Sequence, residues 1–145
     1  MQIVPVTADF PGVAALFDDY RAHYGHPYDP ERTRAWLAEQ LTTGRLEMAA
    51  ATRDGTLHGL ITSAVQPASL LLGVLVHVQD LFVKPDSRRA GVAHALLDHV
   101  IARAKTAGAV RVSLRTEDDN EAALALYTAR GFTRVPGLTA LSLRL

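Results

Sequence analysis

One stretch of this chain combines residue types and spacing suited to holding a phosphate group: Asp80-Leu81-Phe82-Val83-Lys84-Pro85-Asp86-Ser87-Arg88-Arg89-Ala90-Gly91-Val92-Ala93. An apolar extended run ends at Val83, a basic loop follows, and small residues open a helix. The first amides of a helix have no partner inside it, and the aligned peptide dipoles add partial positive charge there, so such an entry is an anion site. Gly91 and Ala93 let the backbone come close to a phosphate, and the guanidinium groups of Arg88 and Arg89 match phosphate geometry. A plainer reading uses the same residues: Gly91 only turns the chain and the arginines are solvated. Short glycine motifs do not decide between the two. The spacing is neither that of a dinucleotide fingerprint nor that of a P-loop, since no second glycine pair and no Gly-Lys-Ser or Gly-Lys-Thr follows.

A second segment, Asn120-Glu121-Ala122-Ala123-Leu124-Ala125-Leu126-Tyr127-Thr128-Ala129-Arg130-Gly131-Phe132, reads as a short helix with a cap at Asn120 and a stop at Gly131. Packing explains Leu126, Gly131 and Phe132. It explains Asn120 and Tyr127 less well, although Tyr127 could be an amphipathic core aromatic with its hydroxyl at the surface.

The elements that must position these residues follow from periodicity. Gln2 to Val6 is extended. Asp9 offers a helix cap, with Pro11 near the first turn and Val13, Leu16, Phe17 and Tyr20 on one face. His23 to Asp29 is a loop, and Asp29-Pro30 caps a second helix whose Trp36, Leu37 and Leu41 are expected to face inward. Leu46 to Arg53 and Leu57 to Val65 flank Asp54-Gly55, a hairpin signal. Leu71 to Val83 is apolar on both faces and therefore central in a sheet. Val92 to Ala107 is a helix stopped by Gly108, Val110 to Thr116 a strand, Glu121 to Arg130 a helix, and Phe132 to Val135 and Leu138 to Leu143 are strands. The expectation is a mixed α+β domain over residues 1–145, with about seven strands and four helices.

Composition narrows the chemistry. The 145 residues contain no cysteine, which excludes disulfides, thiolate zinc sites and a cysteine nucleophile. Fifteen basic and fifteen acidic residues balance, so the basic excess of a nucleic-acid binder is missing. Leu70 to Val78 is too short to span a bilayer, and Met1 to Pro5 lacks the layout of a signal peptide. The expected setting is cytoplasmic, with neither nucleic acid nor membrane as a partner.

Arg88-x-x-Gly91-x-Ala93 after Phe82-Val83 resembles the coenzyme A signature of the GNAT superfamily: Gln or Arg, two residues, Gly, one residue, then Gly or Ala. Asn120 to Phe132 is similar to that family's second motif, Asn, two residues, Ala, two residues, Leu-Tyr, three residues, Gly-Phe, with every element present. The resemblance implies the acyl-coenzyme A N-acyltransferase fold and acetyl transfer from acetyl-CoA to an amine, with no metal. It implies that amides from Arg88, Arg89, Ala90, Gly91, Val92 and Ala93 hold the pyrophosphate. The strand Leu81-Phe82-Val83 would pair with the pantetheine arm, and Asn120, Ala123 and Tyr127 would complete the coenzyme contacts. Tyr127 would protonate the departing thiolate, a phenol with pKa near 10 facing a thiol near 8.5. Family members often dimerise, so a homodimer is allowed for, although no surface for one is legible here.

For removing the amine proton, Asp80 is the first choice, as a carboxylate on a strand face expected to be shared with Val78 and Phe82. His77, expected on the opposite face with Gln79, Leu81 and Val83, is the second choice. Asp80 could instead bond loop amides, and His77 could be an ordinary core histidine. The acceptor pocket is expected from Tyr20-Arg21-Ala22-His23-Tyr24-Gly25-His26-Pro27-Tyr28, with Tyr20, Tyr24, His26 and Tyr28 as contacts. This stretch resembles the Tyr-Arg-x-Phe-Tyr segment of small GNAT proteins related to yeast histone and polyamine acetyltransferases, with His23 in place of Phe. Equally, Tyr20 and Tyr24 could pack inward while the histidines are solvated. The acceptor itself could be a small molecule, polyamine, amino acid or protein. A non-catalytic acyl-CoA-binding sensor or an interaction module would carry the same first motif.

Overall fold

Alternating and helical periodicities produce, in chain order, β1 (Gln2–Pro5), α1 (Val13–His23), α2 (Pro30–Thr42), β2 (Glu47–Arg53), β3 (Thr56–Ala68), β4 (Gly73–Val83), α3 (Val92–Thr106), β5 (Val112–Leu114) and α4 (Glu121–Ala129). The structure is a computed structural model and describes residues 1–145. Residues Met1–Arg115 form one unit and Thr116–Leu145 a second.

The first unit is built on a five-stranded sheet in the order β1-β2-β3-β4-β5. Its ladders are antiparallel except for the parallel pairing of β4 with β5. The expected mixed α+β character is present, with five strands rather than about seven. The difference lies at Phe132 to Val135 and Leu138 to Leu143, which form no strand. A strand exists only through its ladder, and in the second unit α4 is the one regular element.

Both faces of the sheet are packed. On one, α1 and α2 close over Val6, Val13, Leu16, Phe17, Leu37, Met48, Ala50, Leu57, Leu60 and Phe82. On the other, α3 buries Val92, Leu96, Leu97, Val100 and Ala104. The approach of α3 is close enough to require Gly59: a Cβ there would sit 2.7 Å from the Phe82 carbonyl oxygen and 3.2 Å from Val92.

Asp29 caps α2 as expected, accepting from the Arg32 amide at 3.3 Å, and Asp54 and Gly55 take positive φ at the hairpin. Asp9 does not cap α1. The bonds Phe10 N–H to Thr7 carbonyl (3.0 Å) and Val13 N–H to Phe10 carbonyl (3.2 Å) form a preceding turn, and Gly12 at φ 81° starts the helix. Trp36 is 44% exposed rather than inward, lying flat on Phe17 with ring centroids 6.0 Å apart.

A buried carboxylate fixes α1 against α2. Asp18, 2% exposed, accepts from Arg21 Nη1 at 2.6 Å, from Thr33 Oγ1 at 2.9 Å and from the Asp29 amide at 2.9 Å. Burial opposes its ionisation, but the bonds from Thr33, Arg21 and Asp29 outweigh burial and hold the carboxyl below the ordinary aspartate value. Removing it would leave the Thr33 hydroxyl and the Asp29 amide without an acceptor and take the counter-charge from Arg21, which keeps the Pro27 carbonyl. Asp18→Ala should therefore cost about 3 kcal/mol, read as a lower urea midpoint at unchanged slope. Because the folded pKa is depressed, the contribution is present above the unfolded value and fades as pH falls through the folded one. The stability gap between wild type and Asp18→Asn should accordingly narrow in acid.

Candidate active site

The central event is an irregularity in β4. Thr62 pairs with Asp80 and Ser63 with Val78, so Gln79 is an extra residue, a bulge. Paired residues share a face, and successive residues of β3 alternate. Asp80, opposite Thr62, therefore faces α1, whereas Val78, opposite Ser63, faces the other way. His77, opposite Ala64, lies on the Asp80 face. The expected sharing of one face by Asp80 and Val78, with His77 opposite, is corrected by this one-residue insertion, which simple alternation cannot reveal.

The bulge also ends the neighbouring ladder. β5 pairs with Val76, His77 and Val78 and no further. Within the first unit, the edge of β4 from Gln79 to Val83 thus has no strand beside it, leaving a slot where an extended ligand can add as a strand does.

On the α1 face, Asp80 is held from two sides. Tyr20 Oη donates to Asp80 Oδ1 at 2.9 Å, and Thr62 Oγ1 donates to Asp80 Oδ2. Tyr20 is ringed by aromatics: centroids lie 5.5 Å from Phe17, 5.4 Å from Tyr24 and 5.7 Å from Phe82, while His23 stands 5.2 Å from Tyr24 and 5.9 Å from Phe82. The structure thus brings together Tyr20, Tyr24 and Asp80 from the sequence reading. It adds Thr62 and assigns His23 a wall position. A lone threonine in an apolar strand gives no signal of its own; only the register identifies Thr62. Tyr28 lies apart, its hydroxyl donating to Asp19 at 3.2 Å, and His26 is exposed with its amide on the Arg21 carbonyl at 3.1 Å. His77 Nδ1 is 3.0 Å from Ser113 Oγ. Burial, followed by the charge of Arg115, lowers its pKa, so it stands neutral at pH 7.

After Val83 the chain makes a short turn at Pro85–Ser87, and Arg88 Nε returns to the Val83 carbonyl at 3.1 Å. Arg89 takes φ 61° and Gly91 φ 78°, on either side of Ala90. Left-handed residues that alternate with right-handed ones are the backbone pattern of anion-binding nests. No side chain caps α3, in contrast to α2, and a Cβ on Gly91 would meet nothing within 4 Å. The entry of α3 is thus uncapped and has open space at Gly91, with Arg88 and Arg89 just before it, a set of residues that fits a pyrophosphate.

In the second unit, Asn120 Oδ1 accepts from the Ala123 amide at 3.1 Å, capping α4. Asn120 and Ala123 thereby have a structural use. The Tyr127 ring packs against Phe132 with centroids 5.8 Å apart, and the Tyr127 carbonyl accepts from the Phe132 amide at 3.1 Å.

The sequence profile of the acetyltransferase (GNAT) family matches residues 13–132. This chain belongs to the GNAT family. It is similar to the uncharacterized N-acetyltransferase YhfO of Bacillus subtilis (strain 168), 28% identical over 131 residues, which are 90% of this chain and 88% of that one. A 53-residue stretch, 37% of this chain and 36% of the relative, is 40% identical to the [ribosomal protein bS18]-alanine N-acetyltransferase of Salmonella typhimurium (strain LT2). The crystal structure of a probable acetyltransferase superposes with a TM-score of 0.93 at 30% identity, covering 100% of this chain and 98% of the other. The chain is therefore an acetyl-CoA-dependent N-acetyltransferase. No group of three or more His, Asp or Glu is placed to hold a metal, and no helix is long and apolar enough to cross a membrane.

Gly91→Glu places a carboxylate at the uncapped entry of α3 and a side chain at a φ that costs about 1–2 kcal/mol. CoA binding by calorimetry should fall below detection, while the circular dichroism spectrum stays native.

Proposed function

We propose that this acetyltransferase acetylates a primary amine, with Asp80 as the group that takes the amine proton. The observation carrying this reading is the Asp80 carboxylate held by Tyr20 and Thr62, under an aromatic wall and beside the open edge of β4. An alkylamine with pKa near 10.4 is only about one part in 2,500 neutral at pH 7, so deprotonation costs about 4–5 kcal/mol. Rings of Tyr20, Tyr24 and Phe82 suit the ammonium form through their π faces, and Asp80 then accepts its proton. The free nitrogen attacks the thioester carbonyl, a C–N bond forms, and the tetrahedral oxyanion is stabilised by a strand amide near Val83. As the intermediate collapses the C–S bond breaks, the nitrogen gives up its second proton to solvent, and the thiolate takes a proton. Tyr127 is assigned that proton donation on its motif match.

The loop amides from Arg88 to Ala93 and the strand Leu81-Phe82-Val83 are assigned to the coenzyme, with Asn120 and Ala123 carried over from the second motif. The family match crosses Arg115 into the second unit, which supports reading residues 1–145 as one acetyltransferase domain. Tyr20 and Tyr24 are proposed as acceptor contacts by their place beside Asp80, His26 and Tyr28 by the composition of their loop. The stretch similar to the bS18-alanine enzyme puts a peptide with an N-terminal alanine among the acceptors to try, beside polyamines and free amino acids.

Thiol release measured across that amine panel tests the assignment. Asp80→Asn should lower kcat by about 10²–10⁴-fold on the accepted amine, the range of a lost general base. Tyr127→Phe should lower kcat while leaving CoA affinity within about twofold, a change under about 0.5 kcal/mol. Unchanged turnover in Asp80→Asn would reject Asp80 as the base.

A further inference from the structure

A second bulge lies on the other side of β3. Ala51 pairs with Gly59 and Thr52 with Leu57, which leaves His58 as the extra residue. Its ring reaches the loop that follows β4: His58 Nδ1 is 2.8 Å from Ser87 Oγ, and Ser87 Oγ donates to Asp86 Oδ1 at 3.0 Å. A serine hydroxyl has one proton, so with that proton on Asp86 the imidazole Nδ1–H donates to Ser87. His58 also holds the loop through its backbone, since the Lys84 amide donates to the His58 carbonyl at 2.9 Å.

Serine, histidine and aspartate here do not form a nucleophile. In a hydrolytic triad the carboxylate orients the histidine, which then takes the serine proton. In this chain the carboxylate binds the serine directly, and Ser87 is buried. The arrangement instead ties down a loop. Ser87 lies two residues before Arg89, which holds a φ of 61° rarely adopted outside glycine. Such a conformation persists only where its surroundings over-determine it, and Ser87 is anchored by its ring partner, by Asp86 and by its own amide on the Lys84 carbonyl at 2.9 Å.

We infer that His58 is a positioning residue for the coenzyme: acting through Ser87, it holds the Lys84–Arg88 turn so that the amides from Arg89 to Ala93 are already aimed at the pyrophosphate before it arrives. Pre-organisation of this kind lowers the cost of ordering the loop on binding. The inference rests on reading that loop as the phosphate site.

Calorimetric titration of CoA into the full chain tests it. His58→Ala and Ser87→Ala should each weaken the Kd about tenfold, or about 1.4 kcal/mol. His58→Asn, whose side-chain amide can stand where Nδ1 does, should return the Kd to within about twofold of wild type. A general loss of structure would not be repaired by that one nitrogen. Alanine variants that bind CoA as tightly as wild type, or an asparagine variant as weak as the alanine one, would overturn the positioning role. A wild-type chain that does not bind CoA at all would overturn the phosphate-site reading itself, and the positioning role with it.

Discussion

Backbone amides and carbonyls must find partners when they are taken out of water, and in the first unit the outer edge of β4 beyond Val78 has no strand to supply them. The extra residue at Gln79 directly follows Val78, the last residue of β4 to pair with β5. From there to Val83 the outer edge of β4 has no strand beside it within the first unit, and α3 opens without a side-chain cap. The acid of the site hangs on the same residue, because it is past the bulge that Asp80 turns toward α1. One insertion therefore sets both the open backbone and the direction of the carboxylate.

What carries α1 to its place is a different kind of constraint. Tyr20 reaches Asp80 from α1, and α1 is tied to α2 by Asp18, buried among Arg21, Thr33 and the Asp29 amide. A charged residue at such depth contributes little net stability once its desolvation is counted. Its value is in fixing one arrangement of two helices and the loop between them, so that rings from α1 stand over the strand that bears the acid.

The family was legible in the sequence because its signals are local: Arg88, Gly91 and Ala93 sit in one short segment, and Asn120 to Phe132 in one helix and its exit. The hairpin at Asp54-Gly55 and the cap at Asp29 were legible for the same reason. The facing of His77 and Val78 was not, since a bulge is a relation between two strands and leaves no mark in either alone. Thr62 and His58 escaped for the same cause; each matters through a partner 18 or 29 positions away. Trp36 was misplaced because periodicity reports an apolar stripe without saying that its last ring can lie half in solvent on Phe17.

A sheet with every rung filled would be the more stable object. Without the bulge at Gln79, β4 would keep simple alternation past Val78, and His77 would no longer share the face of Asp80. The protein has in effect left its sheet unfinished, and the missing rungs are a vacancy that a passing extended molecule can complete. Regularising that strand to make the scaffold more rugged would change which residues stand beside Asp80.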